Sequence, residues 1–161
     1  MPPQPDVSRT VTDTRSVGHP AAIADSVTAS NSPTEDDKTG KFHEEGGIAG
    51  PDKSGNLVVS PDKPGPYANP DVSKTADTTH NPANPDTRNS ITSVTVNWHV
   101  HAAGSTATHN WKQPPSPVDR SHAISGAINV VAGAGNNRVY FYDNSRIIGS
   151  MSMKDFMRSS Q

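Results

Sequence analysis

The stretch Val94-Thr95-Val96-Asn97-Trp98-His99-Val100-His101 alternates apolar and polar residues without a break. Successive side chains of a β-strand point to opposite faces. Val94, Val96, Trp98 and Val100 therefore share one face, and Thr95, Asn97, His99 and His101 the other. This period of two predicts a half-buried strand with an apolar face against a core and a polar face carrying two histidines. Residues two apart on a strand lie about 6.5–7 Å apart, close enough for both imidazoles to lean on one metal ion.

Outward from this strand, the local signals predict further elements. Ser116-Pro117-Val118-Asp119 reads as a helix start, with Ser as N-cap, Pro at the first helical position and an acid two residues later, and the helix is expected to run to about Gly126. Ile128–Ala132 and Arg138–Tyr142 read as strands joined by a turn at Gly133-Ala134-Gly135-Asn136-Asn137. That glycine pair resembles a phosphate loop only superficially, because neither a helix nor a Lys follows it. Asp143-Asn144-Ser145 turns into Arg146-Ile147-Ile148-Gly149, and Lys154–Met157 reads as a short terminal helix. Upstream, Leu57-Val58-Val59 follows a turn at Ser54-Gly55-Asn56. Six prolines between Pro61 and Asn89 predict a long loop. The expected fold class is α+β: a central mixed or antiparallel sheet with flanking helices and a long Pro-rich loop.

Residues 1–40 contain no Phe, Trp, Tyr or Leu, and carry six acids against three bases. Such a segment buries too little apolar area to offset the backbone entropy of folding, roughly 1–2 kcal/mol per residue. It is read as a polar arm, disordered or ordered only by a partner, with Ala21-Ala22-Ile23-Ala24 the piece best suited to order. The domain is placed at residues 41–161. The arm leaves self-assembly or entry into a larger complex open.

Composition excludes several classes. Of 161 residues only 30% are hydrophobic, so one core spanning the whole chain is ruled out. A formal net charge of −2 without runs of Lys or Arg argues against a nucleic-acid partner. The absence of Cys removes disulfides, thiol catalysis and Cys-ligated zinc. No apolar run is long enough to span a bilayer, and Met1–Asp6 lacks the basic and apolar regions of a signal peptide. A cytoplasmic location, or delivery by a non-classical route, is expected.

His99 and His101 need a third ligand for a catalytic zinc site. Asp119, in the first turn of the next helix, is an acid that could reach back over the sheet. Taken singly, each feature has a bland reading: two exposed histidines, and a plain helix cap. His109 and His122 are weaker candidates for the metal, and Trp111 a weak one for substrate contact. His43 and His80 sit in polar loops and receive no role.

Together, His99-Val100-His101 and Ser116-Pro117-Val118-Asp119 resemble the signature of the JAMM (JAB/MPN-type) metallopeptidases, and Glu44-Glu45-Gly46-Gly47-Ile48 resembles the family's upstream Glu segment. The resemblance covers about residues 41–157 and extends to the small bacterial JAB-like domains of toxin and phage-tail proteins. It implies a JAB/MPN-like fold in which His99, His101 and Asp119 hold Zn²⁺. It also implies Glu44 as general base, with Glu45 the adjacent alternative, and Ser116 as a hydrogen-bond donor to the oxyanion. The implied reaction is hydrolysis of a peptide or isopeptide bond in a protein or peptide substrate; the alternative is a non-catalytic structural or assembly module of the same fold. Fourteen residues, Ala102 to Pro115, separate the second His from the Ser. This interval is longer than the family's usual one, and its extra residues, Gly104 to Trp111, have two equal readings: a hairpin that shapes the substrate cleft, or an insertion that misplaces Asp119.

Overall fold

The computed structural model describes residues 20–73, 75–76 and 81–159. In chain order these form α1 (Pro20–Ser30), β1 (Glu45–Pro51), β2 (Leu57–Pro61), α2 (Pro85–Ser90), β3 (Val96–His101) and α3 (Pro117–Ser121). Then follow β4 (Ile128–Gly133), β5 (Arg138–Tyr142), β6 (Ile147–Ser152) and α4 (Met153–Arg158). The strands build one mixed six-stranded sheet in the order β2-β1-β3-β4-β5-β6, so the fold class is α+β. Only β3 and β4 pair in parallel; the other neighbours are antiparallel. A parallel pair needs a crossover connection. Here it is residues 102–127, which carry α3 across the face on which His99 and His101 stand.

The alternation read in the sequence sorts the two faces as expected. Val96, Trp98 and Val100 join Ala49, Val130, Ala132, Val139 and Phe141 in the core, closed by Ile23 and Val27 of α1 and Phe156 of α4. Trp98 packs over Gly47, where an added Cβ would fall 2.6 Å from the indole. The indole Nε1 donates to Ser26 Oγ of α1 at 3.1 Å. Among the described residues no helix is long and apolar enough to cross a membrane.

Three expectations need correction. The boundary at residue 40 cuts through the folded unit, because α1 belongs to the core; residues 1–19 lie outside the described residues. The scarcity of aromatic and Leu residues hides two core positions. Ile23 and Val27 lie one helical turn apart and are buried against the sheet, each contributing about 1.5–3 kcal/mol. Second, the helix expected to reach Gly126 ends at Ser121. Asn129 explains the stop: its side chain accepts from Ile124 N at 2.8 Å and donates to Ile124 O and Ala127 O, holding the segment in turns. Gly126, at φ +80°, sits in a conformation a helix cannot contain. Third, the Pro-rich stretch contains α2, capped by Asn84 with Pro85 at its start, and Arg88 of α2 donates to Asp62 Oδ1 at 3.2 Å.

A buried charge cluster joins α1 to β1. His43, given no role above, is fully buried between two carboxylates. Its Nδ1 lies 2.6 Å from Asp37 Oδ2 and its Nε2 3.0 Å from Glu45 Oε1. Asp37 also accepts from Phe42 N and Gly40 N, and Ser30 Oγ donates to the His43 carbonyl. Burial alone would lower the imidazole pKa from its usual 6.5, but the hydrogen bonds and charges of Glu45 and Asp37 raise it. A raised folded value means that the stabilisation is complete below the unfolded pKa and is lost as pH climbs through the folded one. The difference in urea midpoint between wild type and His43→Gln is therefore expected to shrink as pH rises from about 5 to about 9. A difference that stays constant over that range would contradict an ionised His43.

Candidate metal centre

The register of the sheet puts the site together. Glu45 pairs with Val100 across β1 and β3, so Glu44, just before β1, falls opposite His101 on the other face. Glu44 Oε1 lies 3.8 Å from His101 Nε2. The Pro-rich loop fixes this end of the strand: Gly65 N donates to Glu44 O, Asp62 N to Gly46 O and Ala68 N to Phe42 O. Glu45 points to the opposite face, toward His43. Of the two adjacent glutamates, Glu44 is the one beside the histidines.

Asp119 closes the cluster from above. Ser116 caps α3 and completes a capping box: Asp119 N donates to Ser116 Oγ at 3.1 Å, and Ser116 N to Asp119 Oδ2 at 2.6 Å. The cap thus orients the carboxylate. Its Oδ1 lies 2.9 Å from His99 Nε2 and its Oδ2 3.1 Å from His101 Nε2. The imidazole centroids are 5.0 Å apart. One ligand atom from each of His99, His101 and Asp119 can be chosen so that all lie within 4.8 Å of one another.

The electrostatics follow from this crowding. Burial would raise the Asp119 pKa, but hydrogen bonds from His101 and His99 hold the carboxyl well below the usual carboxylate range. Burial would lower the His101 pKa; the Asp119 hydrogen bond and the Glu44 and Asp119 charges raise it. The phenol of Tyr142 is pushed upward, first by burial and then by the Asp119 and Glu44 charges. It remains a neutral hydroxyl across the working pH range, with its ring edge-on to His99.

Two imidazole nitrogens and a carboxylate oxygen are a set that could hold a metal ion. Ligands about 2.0–2.1 Å from a tetrahedral ion stand ~3.4 Å apart, and the two His–Asp separations already lie near that. His101 also shows a feature typical of metal-ligating histidines: its second nitrogen, Nδ1, is bonded to a carbonyl, that of Gln113, at 2.9 Å. No family model, curated protein or solved structure matches this chain.

The remaining candidates stand apart from the cluster. His109 is exposed and bonds Asp71 through Nδ1 at 3.0 Å. Thr106, Thr108 and His109 together lower the Asp71 pKa to about 2. His122 is exposed at the end of α3, and His80 lies outside the described residues. Trp111 donates to Ala68 O at 3.3 Å, tying the His101–Ser116 segment to the Pro-rich loop. That segment doubles back, with Ser105 bridged to Asn110. Sequence reasoning missed Gln113 and Tyr142. Tyr142 pairs with Asn129, and Asn129 with Asn97 on the histidine face, so period-two counting across three strands would have found it. No local signal marks Gln113.

Proposed function

We propose that the chain is a zinc metallopeptidase of JAMM (JAB/MPN-like) design that hydrolyses a peptide or isopeptide bond. The observation carrying this reading is the convergence of His99, His101 and Asp119, from consecutive elements, with Glu44 alongside. The donor set is nitrogen and oxygen without sulfur, which suits catalytic zinc with three protein ligands. Zinc held there would supply Lewis acidity, bringing the pKa of a water from 15.7 to about 7.

The chain's own groups provide the rest. Glu44 lies within reach of the space that His101 Nε2 faces, so its carboxylate can take the proton of the attacking water and pass it to the leaving amine. Ser116 Oγ accepts from Asp119 N, which leaves its own hydrogen to donate to the substrate carbonyl oxygen as negative charge builds there. A donor of this type contributes about 3–4 kcal/mol. Ser116 N–H is committed to Asp119, so capping and catalysis use different atoms of one residue.

Glu44→Gln tests the reading. It should keep zinc while lowering turnover by about 10²–10⁴-fold. The assay is mass-spectrometric detection of cleavage in a mixed peptide library and in isopeptide-linked lysine peptides. Full turnover by Glu44→Gln would remove Glu44 as the base. A zinc-loaded wild type that cleaves neither substrate set would favour the assembly module instead.

A further inference from the structure

The long segment between His101 and Ser116 reaches the site itself through Gln113. A carbonyl oxygen can only accept, so the 2.9 Å contact between His101 Nδ1 and Gln113 O places a proton on Nδ1. The nitrogen left for a metal is then Nε2, the one facing Asp119 and Glu44. The Gln113 side chain anchors the main chain that carries this carbonyl. Its Nε2 donates to Ala102 O at 3.0 Å and Trp111 O at 2.9 Å, and its Oε1 accepts from Gly135 N at 2.7 Å. Both amide hydrogens and one oxygen lone pair are engaged, joining Ala102 and Trp111 to the β4–β5 turn.

The turn is shaped to receive that side chain. A Cβ added at Gly133 would lie 2.9 Å from Gln113 Cβ and 2.3 Å from Asn136 Oδ1; one added at Gly135 would lie 3.0 Å from Gln113 Cδ. Between them, Ala134 N donates to His101 O at 3.0 Å. The Gly133-Ala134-Gly135 sequence therefore holds both the His101 main chain and the residue bonded to its ring.

We propose that Gln113, seated against Gly133 and Gly135, is a positioning residue that fixes the His101 tautomer and thereby sets the affinity of the centre for zinc. This inference rests on the metal site proposed above. Partners of this kind contribute about 10–100-fold in metal affinity.

The test is zinc affinity of the full chain by chelator competition, with ¹⁵N-histidine NMR of the zinc-loaded protein. Gln113→Met keeps the length of the side chain and loses its three hydrogen bonds. It should weaken zinc binding by about 10–100-fold, and the His101 Nδ1–H, expected to exchange slowly in the wild type, should exchange rapidly in the variant. Gly135→Ala, which leaves Gln113 in place but crowds its seat, should shift both readouts the same way and guards against a folding defect in the first variant. Wild-type affinity with an unchanged Nδ1–H signal in both variants would overturn the positioning role alone. A wild type that binds no zinc would overturn the metal site and this inference together.

Discussion

Asp119→Ala is expected to abolish zinc retention while leaving the fold standing. Among the described residues, Asp119 is the member of the His99–His101–Asp119 group that comes from outside β3, and its carboxylate approaches both imidazoles at about hydrogen-bond distance. Without it two histidines remain, fewer than the three protein ligands of a catalytic zinc site. The loss should exceed the about 10–100-fold typical of an outer partner. The structural cost is smaller. Asp119 accepts the Ser116 N–H, one half of the capping box, and such a cap contributes about 0.5–2 kcal/mol. Ser116 Oγ still receives the N–H of residue 119, so the other half survives. Elemental analysis after dialysis, alongside a melting curve, separates the two effects. Zinc retained at the wild-type level would remove Asp119 from the ligand set.

His43→Ala is expected to give the largest loss of stability of any single change discussed. It leaves the carboxylates of Asp37 and Glu45 in a buried site without the imidazole between them. Removing one partner from a buried charge cluster costs about 3–5 kcal/mol, which in a domain of this size lowers the melting temperature by roughly 10 °C or more. The effect should reach the candidate metal centre as well. Glu44 and Glu45 are adjacent, and the contact of Glu45 with His43 helps set which way this end of β1 faces. A folded His43→Ala protein is therefore expected to lose turnover beyond its loss of stability. Urea unfolding at fixed pH, compared with activity below the transition, checks both parts. A change in stability under about 1 kcal/mol, the usual range for surface substitutions and mild changes, would contradict the cluster's role.

What could be read in advance was local. The alternation of Val94–His101 defined a strand and its two faces, and the cap of Ser116 with Asp119 three residues on defined a helix start, because both patterns are complete within a few residues. β4, β5 and α4 were legible for the same reason. What escaped depended on packing between distant segments. α1 looked like part of an arm because its two apolar residues matter only when they meet Trp98 and the sheet. α3 looked longer because the side chain that stops it, Asn129, lies in the next strand. Glu44 could not be separated from Glu45 without the register of β1 on β3. His43 reads as a loop residue because no regular pattern links it to Asp37, six residues back, and Glu45, two residues on; the bends between them bring the three together. Gln113 carries no motif, and its importance follows from three hydrogen bonds to separate pieces of backbone.

The central claim is that His99, His101 and Asp119 share one ion. X-ray absorption at the zinc edge of the metal-loaded chain addresses it most directly. The account expects one zinc site with two imidazole nitrogens and light oxygen ligands at about 2.0–2.2 Å, and loss of the imidazole scattering in a His99→Ala/His101→Ala double variant. A zinc spectrum without imidazole scattering, or one unaltered by the double variant, would contradict it.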